Sequence, residues 1–243
     1  MPESCDVLVI GGGPAGLSAA VFTARAGLDT VVADRGDSIL RRNAHLENFP
    51  GFPWGIDARL LLSLMAEQAE AAGARRQAVE IARLAATADG FRAETTDGDS
   101  VEASRAICAT KNEVGYLAEV EGVEVLDRGK SYVAVDDRGR TGVSGLYAAG
   151  RLAGKPHQAV VAAGHGAEVG ITLLEDAEAP FYHDWVVPDA YFTGRERDVP
   201  PGCEEIDDPE RRRRSDASLQ AIRDRLDDPE LEPPEQHPSV AGE

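Results

Sequence analysis

The chain is poor in positive charge and above all in lysine. Lys111, Lys130 and Lys155 are its only lysines in 243 residues, and 25 basic side chains face 43 acidic ones for a formal net charge of −18. Nucleic acid and anionic membrane surfaces need a basic footprint, so neither is an expected partner. An acidic surface with scarce lysine suits a protein kept hydrated in concentrated salt, where screening removes self-repulsion. A halophile's cytoplasmic protein is the expectation, with an acidic mesophilic protein as the alternative. Cysteine is also scarce: Cys5, Cys108 and Cys203 are odd in number and far apart. That is neither a secreted disulfide framework nor a zinc spacing, and no metal site is expected. No apolar run reaches membrane-spanning length, no basic-then-apolar leader precedes the first strand, and no internal repeat occurs.

What is present reads as one well-buried domain of ordinary size plus a tail. Residues 6–10 are an unbroken apolar run, as in a strand buried on both faces. Gly11, Gly13 and Gly16 open a helix that stops near Gly27, and Val31-Val32-Ala33 is the next strand, ending at Asp34. A second helix is expected from Asp57 to Ala72, with Leu60, Leu61, Leu64, Met65 and Gln68 at helical spacing. From Arg76 to Ser104 short alternating runs, punctuated by Asp89-Gly90 and Asp97-Gly98, predict an antiparallel meander. Residues 106–110 return to the main sheet, 111–131 form an irregular bridge, and Val133-Ala134-Val135 is a short strand. Gly145 to Ala149 feeds the last strand, and a helix from Gln158 to Leu174 completes the body.

Beyond Asp176 comes an arm with Phe181, Tyr182, Trp185, Tyr191 and Phe192 among prolines. A helix is predicted from Asp208-Pro209, with proline in its tolerated first turn and Leu219, Ile222 and Leu226 as an apolar stripe. Arg211 to Arg214 read as a solvated face pairing with neighbouring acids, and the Pro- and Glu-rich residues 228–243 as a disordered tail. Too aromatic for a free linker, the arm is expected to cover an apolar patch of the body or to span a homodimer.

The opening Gly-x-Gly-x-x-Gly follows a buried strand, opens a helix, and has Asp34 eighteen residues beyond Gly16. Gly11 allows the tight turn, Gly13 lets backbone N–H groups approach a pyrophosphate, and Gly16 lets helix pack on strand. The positive end of the helix then faces the phosphates. Asp34 can accept hydrogen bonds from an adenosine ribose and disfavours a 2′-phosphate there.

Two further segments narrow the class. Glu47-Asn48-Phe49-Pro50-Gly51-Phe52-Pro53 precedes the second helix, and Gly145-Leu146-Tyr147-Ala148-Ala149-Gly150 precedes Pro156-His157-Gln158-Ala159. In this order the three segments resemble the FAD-binding domain of the thioredoxin reductase-like (pyridine nucleotide-disulfide oxidoreductase) family, over residues 6–110 and 130–175. The resemblance implies an α/β fold: a three-layer, Rossmann-like FAD/NAD(P)-binding domain with a parallel sheet, a β-meander crossover and, here, the C-terminal arm. It divides the chain into an FAD-binding domain at 1–175, in halves 1–110 and 130–175, an arm at 176–227 and the tail at 228–243. It implies FAD as cofactor, Asn48 beside the flavin or its ribityl chain, and backbone amides at Gln158 and Ala159 facing the flavin N1 and O2. Negative charge develops there on reduction, which a helix N-terminus favours. Gly164 and Gly166 would let that helix lie close to the first strand or the cofactor. With Gly11, Gly13, Gly16 and Asp34, the positions Pro14, Ala15, Arg35, Thr110, Gly150, Arg151 and His157 complete the implied cofactor-binding set.

The chain departs from the family in four places. The nicotinamide domain is missing, since Lys111-Asn112 follow Ala109-Thr110 where the family continues with Gly and no second glycine-rich turn appears. The redox Cys-x-x-Cys is absent, Asp37-Ser38-Ile39-Leu40 replace Gly-Gly-Gln-Leu, and Arg151 replaces an Asp that holds a ribityl hydroxyl. An arginine there would pair with the pyrophosphate or swing outward. Catalytic candidates are weak: His45 and His157, with His165 beside them, as proton donors, and Cys203 as an exposed thiol. Cys5 and Cys108 read as core residues. The expected function is an FAD-dependent oxidoreductase, cytoplasmic and homodimeric, that takes electrons from free nicotinamide, a small reductant or a protein such as a ferredoxin. The alternative is a non-catalytic dinucleotide-binding or interaction module that uses FAD or NAD structurally.

Overall fold

The computed structural model describes residues 3–181, 183–227, 231–237 and 239–240. The apolar run near the start extends into strand β1 (Glu3–Ile10) and feeds helix α1 (Pro14–Arg25). Helix α1 stops at Gly27, whose φ of +84° lets Leu28 N donate to Thr23 O at 3.1 Å and Gly27 N to Ala24 O at 2.9 Å. Strand β2 (Thr30–Ala33) lies parallel to β1, and helix α2 (Ala58–Ala71) begins at Asp57, which accepts from Arg59 N and Leu60 N. Strand β3 (Arg75–Gln77) joins β2 in parallel at the sheet's edge, so the meander begins one strand later than the sequence pattern suggested.

That meander is β4 (Ile81–Ala86), β5 (Phe91–Thr95) and β6 (Ser100–Cys108), paired antiparallel through the two Asp-Gly turns. β6 has a double role. Its first half pairs with β5, while its length runs parallel to β1 and its end pairs with β9 (Leu146–Ala148). The seven-stranded sheet therefore runs β3-β2-β1-β6-β5-β4, with β9 beside the end of β6.

Alternation along β1 separates two cores. Val7 and Val9 pack with Leu17, Ala20, Leu61 and Leu173 on the helical face, while Leu8 and Ile10 pack with Leu84, Phe91 and Ala93 of the meander. Helices, sheet and meander make the three layers of an α/β Rossmann-like domain. Helix α3 (Ala159–Asp176) crosses α1 closely, because a Cβ on Gly166 would stand 2.0 Å from Ala15 O and one on Gly170 3.0 Å from Ala19 O. The expected role of Gly164 is thus corrected: a Cβ there meets nothing within 4 Å, and Gly166 packs on α1 rather than on the first strand.

The bridge between β6 and β9 is more ordered than its sequence implied. After a 3-10 turn at Gly115–Leu117, β7 (Val125–Asp127) and β8 (Ser131–Val133) form a separate hairpin. Gly129, at φ +75°, donates from its N to Asp127 Oδ1 at 2.9 Å and closes the turn. The strand expected at residues 133–135 is displaced to Ser131–Val133 because this turn sets its register.

In the arm, β10 (Trp185–Pro188) and β11 (Cys203–Ile206) form a two-stranded parallel sheet, followed by α4 (Asp208–Leu226). Trp185, Tyr191 and Phe192 contact one another edge to face, and Tyr182 lies outside the described residues. Asp184 pairs with Arg25 of α1 at 2.6 Å, and Arg225 of α4 with Glu67 of α2 at 2.9 Å, so the arm is tied to the helical side of the body. Arg211, Arg212, Arg213 and Arg214 pair with Asp208, Glu210 and Glu204. Leu219, Ile222 and Leu226 are exposed. Of the tail read as disordered, residues 228–230, 238 and 241–243 lie outside the described residues, while Glu232 and Glu235 pair with Arg41.

Candidate functional site

The carboxyl ends of β1, β2 and β6 open on a cleft of about 560 Å³, bounded also by the loop after β2 and the start of α3. Gly11, Gly13, Pro14, Ala15, Asp34, Arg35, Asn48, Thr110, Arg151, His157, Gln158 and Ala159 all line it. Gly16 and Gly150 stand behind the wall. A Cβ on Gly16 would fall 1.9 Å from Gly11 O, and one on Gly150 2.7 Å from the Ala15 Cβ. Gly12, which the sequence pattern did not single out, is the tightest point of the rim, because a Cβ there would overlap the Asp34 carboxyl at 2.1 Å. Asp34 in turn accepts from Gly36 N at 2.8 Å and faces Arg76 at 3.5 Å.

Two sets of charges line the cleft. Arg35 is a hub, pairing with Glu80 at 2.5 Å, Glu113 at 2.7 Å and Asp37 at 2.5 Å. The Arg35 guanidinium, with a smaller contribution from Arg42, holds the Asp37 carboxyl below its usual range. Arg42, Lys111 and Arg151 line the cleft with His157. Burial, then the charges of Arg151, Lys111 and Lys130, push the His157 imidazole below its usual range and favour its neutral form. Arg151 does not swing outward: its Nε donates to Asn112 Oδ1 at 3.1 Å, and its guanidinium lies 5.9 Å from the centre of the Tyr132 ring.

The loop after β2 is fixed by a residue that the sequence reading passed over. Arg59, buried in the first turn of α2, donates to the backbone carbonyls of Arg41 at 3.1 Å and Ala44 at 3.2 Å, to that of Asn43, and to the Asp57 carboxylate. An arginine inside an amphipathic helix carries no pattern that distinguishes it from a solvated one. Asn48 Nδ2 then donates to Gln158 Oε1 at 3.0 Å, joining this loop to the start of α3. Lys111, Gly12 and Arg42 likewise line the cleft without having been assigned to it.

Of the catalytic candidates, His45 lines the cleft and pairs with Glu47 at 2.7 Å. His165 is buried behind it, with Nδ1 accepting from Gly150 N at 2.9 Å. Cys203 was expected to be exposed, but it is half-buried at the start of β11, its Sγ 3.6 Å from His183 O. The structure places it in the arm and not on the cleft, because the β10–β11 pairing holds it there. Burial pushes the Cys5 and Cys108 thiols up to about 12, which keeps both protonated and in the core.

The helix ends identify what the cleft accepts. α2 and α4 are capped by the side chains of Asp57 and Asp207, but α1 and α3, which open on the cleft, have no side-chain cap. Backbone N–H groups at both termini are thus left for an acceptor between them, next to a glycine rim on which side chains would collide. A diphosphate at α1, a ribose at Asp34 and a flavin edge at α3 suit these donors and acceptors in chain order, so the residues present fit FAD.

Comparison with known proteins agrees. The FAD binding domain family matches residues 6–44. A thioredoxin reductase of Aquifex aeolicus is 36% identical over 135 residues, 54% of this chain and 42% of the relative. One of Listeria monocytogenes is 35% identical over 138 residues, 54% of this chain and 41% of the relative. The chain therefore spans about two-fifths of the length of these curated relatives. Among solved structures, a thioredoxin reductase of Streptococcus pyogenes superposes with a TM-score of 0.66 at 16% identity, covering 73% of this chain and 99% of that one. A ferredoxin-flavin thioredoxin reductase of Clostridium acetobutylicum gives 0.60 at 20%, covering 73% and 99%. At such identities the likeness shows the fold. Residues 6–44 thus match an FAD binding domain, the body is similar to the corresponding part of these thioredoxin reductases, and FAD is its cofactor.

Proposed function

We propose that this chain is an FAD-dependent oxidoreductase whose electrons arrive from outside its own fold, from a diffusing nicotinamide, a small reductant or a protein donor. The observation that carries the reading is the bridge. Between β6 and β9, which pair Cys108 with Ala148 in register, the chain spends its residues on one 3-10 turn and one small hairpin. That segment holds no strand–glycine turn–helix unit of the kind that opens the chain. The buried, protonated thiols of Cys5 and Cys108 support a route that does not pass through a dithiol.

When bound, FAD supplies the redox chemistry, and the protein supplies binding, orientation and electrostatics. Gly11 to Gly16 and the start of α1 hold the diphosphate, and Asp34 accepts from the adenosine ribose. The α3 N-terminus, with Gln158 as its first flanking residue, favours negative charge at the pyrimidine edge of the ring. Asn48 reaches Gln158 from the facing loop. His157, on the cleft wall with its neutral form favoured, is the group proposed to exchange a proton there.

A cytoplasmic setting at high salt belongs to this reading. The net charge of −18 supports it, and among the described residues no helix is long and apolar enough to cross a membrane. A homodimer formed through the arm also belongs to it, supported by the exposure of Trp185, Leu219 and Ile222.

The test is a visible spectrum of the protein purified in concentrated KCl, taken before and after anaerobic addition of NADH or NADPH. A flavin band that bleaches and returns with an acceptor supports turnover with diffusing nicotinamide. Bleaching only with a reduced ferredoxin supports a protein donor. A flavin band that no donor reduces overturns catalysis in favour of a structural dinucleotide-binding module.

A further inference from the structure

Charge in the cleft is unevenly balanced, and the imbalance runs against the whole chain. All five carboxylates that line it are already engaged: Asp37, Glu80 and Glu113 by Arg35, Asp34 by Arg76, and Glu47 by His45. The lining cations Arg42, Lys111 and Arg151 are not. Among the described residues, none of the three has a carboxylate within 4.0 Å. In a protein with 43 acidic and 25 basic side chains, three cations in one cleft without a carboxylate in direct contact are the reverse of what composition favours.

The backbone adds a second, independent observation. Lys111 is held at φ +64°, in the left-handed region that residues other than glycine rarely adopt. Asn112, next in sequence, accepts from Arg151 Nε at 3.1 Å and donates from Nδ2 to Ser131 O at 2.8 Å. The bridge hairpin is therefore locked to Arg151, and Lys111 is turned into the cleft at that point. Lys130, in the turn of the same hairpin, brings a further positive charge near Lys111 and His157. The charges repel one another, and burial together with that repulsion lowers the Lys111 ammonium below its ordinary value.

We propose that Arg42, Lys111 and Arg151 form an oxyanion site that receives a phosphate group at the bridge end of the cleft. A phosphate matches the donors: the planar guanidinium of Arg42 offers paired N–H groups, Arg151, whose Nε goes to Asn112 and Nη2 to the Tyr132 hydroxyl at 3.5 Å, offers its remaining N–H groups, and Lys111 offers a point charge. The phosphate has two possible sources. One is the diphosphate of the bound dinucleotide itself. The other is a second, diffusible phosphorylated ligand, and this one rests on the reading of the chain as an oxidoreductase with an external donor.

The experiment titrates inorganic pyrophosphate into the flavin-loaded protein at fixed ionic strength, reading the flavin difference spectrum and the melting temperature. It runs beside Lys111→Gly and Arg42→Gln. Lys111→Gly removes the ammonium and relieves the left-handed backbone, so misfolding does not account for a loss. If a second ligand uses the site, pyrophosphate perturbs the flavin and raises the melting temperature. Each variant then weakens that response about tenfold to a hundredfold, as for a charge-assisted hydrogen bond. If the cofactor's own diphosphate fills it, pyrophosphate has no effect on the loaded protein. Both variants then lose FAD affinity by a similar factor and keep their affinity for riboflavin. Wild-type response to pyrophosphate and affinity for FAD, both retained in the two variants, overturn the site and leave the redox reading standing. A protein that takes up no flavin overturns that reading instead, while the melting-temperature response to pyrophosphate still decides the oxyanion site.

Discussion

Asn48 Nδ2 donates to Gln158 Oε1 at 3.0 Å across a sequence separation of 110 residues. One residue lies on the loop after β2 and the other flanks the first turn of α3, so this bond ties the two sides of the cleft together beside the α3 terminus. Neither side chain is satisfied by its own element, and each orients the other.

Their coupling is measurable. Asn48→Ala and Gln158→Ala should each weaken FAD binding by about 1 kcal/mol, roughly fivefold, as for loss of one hydrogen bond. The double variant should be no worse than about the poorer single one, because the second substitution removes a bond already gone. Flavin fluorescence titration of the four proteins checks this. Strictly additive losses would mean that the two side chains act separately.

Arg59 should matter more to stability than any other single cation of the body. Its guanidinium is buried against three backbone carbonyls and the Asp57 carboxylate. Arg59→Leu leaves those carbonyls and the Oδ2 of that carboxylate without their buried donor, although Oδ1 keeps its helix N–H groups, and a loss of about 3–5 kcal/mol is expected. Urea denaturation measures the loss. FAD affinity should fall with it, since the 41–44 segment that Arg59 holds leads into the cleft wall. A loss below about 1 kcal/mol would show that the loop is held by something else.

Two glycines two positions apart in α3, Gly164 and Gly166, should respond in opposite directions to alanine. A Cβ on Gly166 lands on Ala15 O, and one on Gly164 meets nothing within 4 Å. Gly166→Ala should destabilise by about 1–3 kcal/mol or more through overpacking of the α1–α3 crossing. Gly164→Ala should stabilise by up to about 1 kcal/mol through helix propensity. Thermal melts of the two variants decide this, and equal signs would contradict the crossing geometry.

What the sequence disclosed follows from where its physics is local. The β1 run, the Gly11-to-Gly16 turn and the two Asp-Gly hairpins are written in consecutive residues, and the cleft brings Asn48, Arg151 and Gln158 to one place as the motif order implied. The β7–β8 hairpin was not legible as such, because strands of three residues carry too little alternation to fix a register. Arg59 and Lys111 were missed for another reason. Their roles depend on carbonyls and cations that come from distant segments, and a charged residue in a helix or loop looks solvent-bound until those partners are placed. Gly12 was overshadowed by the glycines of the standard pattern, although the Asp34 carboxyl leaves it less room than Gly11 or Gly13 has.

Acid should loosen the fold through His165. This imidazole is buried on α3, and its Nδ1 accepts from Gly150 N at 2.9 Å, a bond that a proton on Nδ1 would break. Burial, then the charge of Lys155, pulls its folded-state value below the unfolded 6.5. The unfolded chain therefore binds more protons than the folded one in the window between the two values. The stability that neutral His165 contributes is full above pH 6.5 and is lost progressively as pH falls toward the folded value. His157 is shifted the same way, by burial first and then Arg151, so it adds to the same slope. Melting temperature measured from pH 8 down to about pH 5 should decline below the unfolded histidine value. In His165→Gln, which keeps a neutral acceptor for Gly150 N but does not titrate, part of that decline should vanish. An unchanged slope would place the acid sensitivity elsewhere and remove His165 as its cause.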